Sequence, residues 1–195
     1  MTGVSVKGSA ITARVRWLRE LYGEDGVRAL KAALDPPYRQ ALEGRILPHE
    51  WVPFELYVAV STEIDRLYGK GDLELCRELG RYSAKVNLPT LYRIFYSLGS
   101  PGFIVRRAAK VWDVHYTSGR LDVDIERFAD GTDGCTLTIV DFATPHRSHC
   151  LSVLGWCERS VELSGGTLVS SAETACRVWG DDRCVLSVRW RVAPR

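Results

Sequence analysis

Leu121-Asp122-Val123-Asp124-Ile125-Glu126 decides the fold. Apolar and acidic residues alternate with a period of two, the mark of a strand with one buried face and one wet face. Downstream, residues 129–134 are rich in turn formers, and Cys135, Leu137 and Ile139 then alternate with threonines. That pairing predicts a hairpin. Residues 145–163 return to helical spacing, with Cys150, Leu154, Cys157 and Val161 on one stripe, and Ser164-Gly165-Gly166 ends the run. Two further strands follow over 167–178 and 183–191. In the last, Cys184, Leu186, Val188 and Trp190 face one way. Short connections make each strand pair antiparallel.

Upstream of Leu121 the period is helical throughout. Residues 11–22 carry Val15, Leu18 and Tyr22 on a stripe closed by Gly23, and 26–42 follow, interrupted at Asp35-Pro36-Pro37. Residues 46–53 read as a loop. Residues 54–68 place Leu56, Val60, Ile64 and Leu67 on one face; helices over 73–86, 91–98 after Pro89, and 103–116 complete this half. The expected class is α+β: a helical layer (1–118) packed on a four-stranded antiparallel sheet of β-β-α-β-β order (119–195), forming one domain over 1–195.

Composition bounds the function. The chain has 195 residues, 46% hydrophobic and 26% charged, with a net charge of +2. That balance is globular and offers no nucleic-acid groove. No apolar run approaches the ~20 residues of a membrane span, and residues 1–7 lack a signal-peptide pattern. A cytoplasmic protein is expected. There the six cysteines read as thiols or ligands rather than disulfides.

Five chemistry-bearing residues gather near the end. Glu173, Cys176 and Cys184 form E-x2-C-x7-C around Trp179-Gly180-Asp181-Asp182, with His149 and Cys150 upstream. A hairpin symmetric about Gly180 sets Cys176 opposite Cys184, within reach of one metal ion. The helix bearing Cys150 packs on that face. Glu173 points to the other face of a regular strand, so its ligation requires a bulge; His149 is the substitute. Three readings stay open: a metal site, buried core thiols, and a Cys176–Cys184 disulfide that the compartment disfavours.

From about Phe103 to Trp190 this pattern resembles the 4-vinyl reductase domain. That domain is grouped with haem nitric-oxide-binding domains and the TRAPP vesicle-tethering subunits. The spacing also resembles the zinc site of bacterial phenol-responsive activators, and the whole chain resembles a paralogous family abundant in myxobacteria. The resemblance implies that Cys150, Glu173, Cys176 and Cys184 are ligands to structural zinc. Tyr116-Thr-Ser118-Gly-Arg120 matches the Y-x-S-x-R motif with which the haem domains hold propionates. Their axial histidine has no counterpart, since the corresponding region reads Val86-Asn87-Leu88, which argues against haem.

The sensor relatives bind small aromatic molecules between helices and sheet. Trp51, Phe54, Tyr57, Tyr92, Phe95, Tyr96, Phe103 and Trp112 are the expected pocket residues. No catalytic set is visible. The resulting expectation is a non-enzymatic cytosolic sensory module, homodimeric, with a protein partner, that binds a small hydrophobic or aromatic molecule and carries a possible zinc ion. The alternative is a TRAPP-like dimeric scaffold for a small-GTPase-related partner. A haem-binding gas sensor or an enzyme ranks last.

Overall fold

The computed structural model describes residues 3–98 and 100–192, with the side chains of 88–98 and 108 outside the description. The chain is α+β, as the alternation at Leu121 requires. Six helices and six strands are described: β1 (Ser5–Lys7), α1 (Gly8–Ala33), α2 (Pro36–Glu43), β2 (Trp51–Pro53), α3 (Phe54–Tyr68), α4 (Leu75–Leu98), α5 (Pro101–His115), β3 (Arg120–Arg127), β4 (Asp133–Val140), α6 (Arg147–Leu163), β5 (Gly166–Ala175) and β6 (Cys184–Val192).

β3 to β6 form one antiparallel sheet in the order β3-β4-β6-β5. Each predicted hairpin pairs within itself, and β4 joins them by pairing with β6. Asp122, Asp124 and Glu126 are exposed, whereas Leu121 is buried. Cys184, Leu186, Val188 and Trp190 of central β6 are all buried, so the alternation does set the inner face. α5 and α6 lie against the sheet, and α1, α3 and α4 build outward from them.

Three features depart from the expected pattern. β1 and β2 pair with each other, Val6 opposite Val52; at three residues each they are too short to show a period. α1 spans what reads as two helices, with a kink at Gly23 (φ 63°). α4 runs on through Pro89 as one helix. Its packing against α6 and α1 sets its axis, and a proline removes only one of its backbone hydrogen bonds.

α4 and α6 cross at two glycines. A Cβ on Gly80 would lie 2.0 Å from the Ser152 carbonyl oxygen, and one on Gly155 would lie 1.9 Å from that of Arg77. Only residues without a side chain allow this approach. The crossing is tied beside the glycines by Glu158, whose side chain is almost fully buried. It accepts from Arg77 Nε (2.7 Å), Arg81 Nη1 (3.0 Å) and Ser171 Oγ (2.7 Å). Arg81 also holds Glu162 through Nη2, at 2.8 and 2.9 Å.

Candidate functional site

The local sequence explains how the last hairpin presents its sulfurs. β5 ends at Ala175, and Cys176 opens a single 3-10 turn over Arg177–Trp179. Gly180 closes that turn in the left-handed region (φ 98°). The Asp181 carboxylate accepts from the Cys176 backbone N–H (2.8 Å), and the Cys176 carbonyl accepts from Trp179 N–H (2.8 Å). Trp-Gly-Asp therefore fixes the backbone that carries Cys176. Cys184, the first residue of β6, faces the core opposite Ile139.

The sulfurs of Cys150, Cys176 and Cys184 all lie within 4.8 Å of one another. All three residues are buried. The Cys176–Cys184 separation is 4.0 Å, about twice a disulfide bond. It is close to the ~3.8 Å edge of a tetrahedron with ~2.3 Å metal–sulfur bonds. The bulge that Glu173 requires is present: the β5–β6 register shifts between Glu173 and Ala175. Glu173 thereby pairs with Leu186 on the core face, and its side chain is buried. One carboxylate oxygen accepts from Arg147 Nε at 3.0 Å. The other, Oε1, is buried with no partner among the described residues.

The charge state of the cluster is unequal. Interaction with the neighbouring Cys150 thiol lowers Cys176 to about 7 and Cys184 to about 6. The Arg177 backbone N–H also points at the Cys184 sulfur, at 3.4 Å. Cys150 itself is raised by its two sulfur neighbours and by burial. Burial raises Glu173 to about 7 against the pull of Arg147. An ion entering the cluster would replace the Cys150 proton with a bond.

His149 does not join the sulfurs. One residue from Cys150 on α6, its ring turns into a cluster of Phe54, Trp112, Tyr116 and Phe142, with centroids 4.7 to 5.5 Å away. Its Nε2 is buried without a partner, and burial lowers the imidazole to about 3, so the ring is neutral.

Of the expected pocket residues, Tyr57 and Trp112 border the cavity described below, whereas Trp51 and Phe103 do not. Phe54, Tyr57 and Trp112 are core, Trp51 is 43% exposed beneath Lys7, and Phe103 is 43% exposed on α5. Tyr92, Phe95 and Tyr96 lie outside the described side chains. A cavity of about 100 Å3 does open between α1, α3, α4, α5 and α6, bordered by Arg14, Tyr57, Ser83, Trp112, His115 and Trp156 among others. Arg14 and His115 were missed as site residues. The signal for Arg14 lies in α1, where it falls on the stripe between Ile11 and Leu18.

No family profile and no curated protein matches the chain. Solved structures do match. One is the H-NOX protein of S. oneidensis in the Fe(II)NO ligation state, with TM-score 0.70 and 10% identity over 95% of this chain and 99% of that one. A triple mutant of that protein in the Fe(II) state gives 0.73 and 10%, covering 97% and 98%. An oxygen-binding H-NOX domain related to soluble guanylate cyclases gives 0.66 and 17%, covering 96% and 95%. The fold is the H-NOX fold.

This corrects the ranking drawn from sequence. The small-apolar-ligand module, the TRAPP-like scaffold, the zinc and the homodimer expected from the sequence find no support in these matches. The matching domains are H-NOX proteins, with studies of haem distortion among them. Haem, which the missing upstream histidine had placed last, is the group this fold implies, and its fit is decided by the residues.

The residues do not fit it in this arrangement. Of the Y-x-S-x-R side chains, Tyr116 turns into the aromatic cluster. Ser118 Oγ accepts from Ala143 N–H (3.0 Å), and Arg120 is exposed and paired with Asp122 and Asp141. His49 is on the surface, and His146 caps α6. His149 is walled by rings. His115 borders the cavity, with Nδ1 on the Val111 carbonyl at 3.1 Å. That cavity is smaller than the ~300–1,000 Å3 typical of ligands far smaller than a porphyrin. Among the described residues no helix is long and apolar enough to cross a membrane.

Proposed function

We propose that the chain is a metal-responsive domain of the H-NOX fold, whose centre is the thiolate cluster of Cys150, Cys176 and Cys184 with Glu173 as fourth donor. What supports this reading is the unpartnered, buried Oε1 of Glu173, whose carboxyl interacts with Cys176 although it lies outside the group of three sulfurs within 4.8 Å of one another. A soft donor set of this kind selects a thiophilic ion that prefers tetrahedral geometry. Four protein donors leave no position for a substrate or an activated water, so the role is binding and not catalysis.

The ion would fasten α6 to the β5–β6 turn. Arg147 acts as its outer support: from the first turn of α6 it holds Glu173, the Asp72 carbonyl and Glu74 at once. Gain or loss of the ion is then felt by α6 and, through the glycine crossing, by α4. The H-NOX structures it resembles include an Fe(II)NO state and an oxygen complex; in this reading the responsive element is sulfur.

The test is metal content and cobalt(II) binding of the purified full chain. Near one equivalent of metal, with sulfur-to-cobalt charge-transfer absorption that Cys176→Ser removes, supports the reading. A protein that carries no metal and shows no such absorption with added cobalt overturns it. The same absorption spectrum reports any bound haem.

A further inference from the structure

We propose that the cavity beside Arg14 is a binding site for a small monocarboxylate, with the guanidinium as its anchor. Arg14 is only 2% exposed. It sits on the inward stripe of α1, where a hydrophobic residue would be the ordinary choice. A buried cation is normally paired with an anion. Arg14 forms no ion pair among the described residues. Its four hydrogen bonds among the described residues all go to neutral oxygens: Nε to Ser61 Oγ (2.7 Å), Nη1 to the Ala10 carbonyl (3.0 Å), and Nη2 to Tyr57 Oη (2.7 Å) and Ser152 Oγ (2.8 Å).

The buried acids of the core are engaged elsewhere. Asp65 accepts from the backbone N–H groups of Leu73 and Leu75, at 2.9 and 3.1 Å. Glu158 holds Arg77 and Arg81. A guanidinium has five N–H donors, so one, on Nη1, is left without an acceptor among the described residues. Tyr57 and Ser152, which orient the group, also line the cavity. Tyr57 packs its ring 4.1 Å from the guanidinium carbon, holding the fork in place.

The rest of the wall decides the ligand class. Trp112, Val111, Leu121 and Trp156 make it mainly apolar. One positive charge in an apolar wall matches one negative charge on a short hydrocarbon, because a dianion would leave a charge uncompensated. At about 100 Å3 the space exceeds the ~30 Å3 share of one water and falls short of a drug-sized pocket. Arginine is the side chain whose geometry suits a carboxylate. None of these residues belongs to the thiolate cluster, so the two sites stand or fall separately.

The full chain is titrated calorimetrically with sodium propionate, with propionamide and sodium nitrite as comparisons, and thermal melting is followed in parallel. Saturable one-to-one binding of propionate, absent for the neutral amide, supports the site. Arg14→Gln is expected to weaken it about tenfold or more, equal to ~1.4 kcal/mol. Ala10→Leu fills the cavity while keeping every partner of Arg14, and should weaken binding as much. If Arg14→Gln fails to melt cooperatively, Ala10→Leu decides. No saturation by propionate at millimolar concentration, equal binding of the amide, binding of nitrite alone, or unchanged affinity in Ala10→Leu overturns the proposal.

Discussion

Gly155→Ala is a sharp test of how the helical layer is held. The added Cβ would meet the Arg77 carbonyl oxygen at 1.9 Å, where ordinary contact begins at 3.4 Å. The obstructing atom is backbone, so no rotamer change relieves it. α4 and α6 must move apart by about 1 Å or more, and a gap of that size forfeits up to about half of the dispersion attraction across it. The same movement stretches the Glu158 bonds to Arg77 and Arg81. Overpacking of this kind costs about 3 kcal/mol at the upper end of its range, offset by about 1 kcal/mol from the better helix propensity of alanine. A net loss of about 2 kcal/mol remains. With a urea slope near 2–3 kcal/mol/M, the midpoint should fall by about 0.7–1 M at unchanged slope. Gly44→Ala, whose Cβ would meet nothing closer than 3.4 Å, serves as the control and should not fall. A Gly155→Ala midpoint equal to that of the parent would refute the crossing as described.

Three more outcomes are expected. Glu158→Ala leaves Arg77 and Arg81 facing a buried void and should cost about 3 kcal/mol or more in urea unfolding; a loss under ~1 kcal/mol would show the network to be peripheral. His149 is held near 3 when folded and titrates near 6.5 when unfolded. Its folded pKa is depressed, and the unfolded state binds more protons below 6.5. Stability present above that pH is therefore lost as pH falls, by about 2 kcal/mol at pH 5. His149→Phe keeps the ring packing and should lack that component, so parallel pH profiles for the two proteins would count against it. Finally, a chelator should lower the melting temperature of the metal-loaded parent but not of Cys176→Ser. The expected gap is about 2.7 kcal/mol when free ion stands at 100 times Kd, and an equal effect on both would detach the ion from these sulfurs.

The architecture was legible because its decisive signals are local. A period of two at Leu121–Glu126 reports which face is wet, and in the structure the acids of β3 are exposed while the apolar residues of β6 are buried. The convergence of Cys150, Cys176 and Cys184 was legible for the same reason, since hairpin register and helix stripe place them. The bulge that ligation by Glu173 would need, from its odd spacing to Cys176, is present as a register shift. Of the aromatic pocket, Tyr57 and Trp112 were legible. Which aromatic on a helix faces a cavity depends on the rotation of that helix against its neighbours, and Trp51 and Phe103 turned outward. Arg14 was overlooked because a charge on an apolar stripe reads as an interruption until its partners are seen. The ranking of haem failed differently: the sequence did display a likeness to haem nitric-oxide-binding domains at Tyr116, Ser118 and Arg120, but one absent histidine outweighed it, whereas the fold likeness to H-NOX domains extends over 95% or more of the chain.

The short strand β1 has a practical consequence. Val6 pairs with Val52 on one side and bridges to Tyr116 on the other, Ser5 exchanges hydrogen bonds with Thr117, and the Val4 carbonyl receives the first N–H of α3. These few residues are a seam between the start of α3 and the end of α5, where the Arg14 cavity is walled by Tyr116. Protease nicking or trimming ahead of Lys7 would unpick that seam and let solvent into the interior. Affinity handles and reporter fusions are accordingly better attached at the far end of the polypeptide.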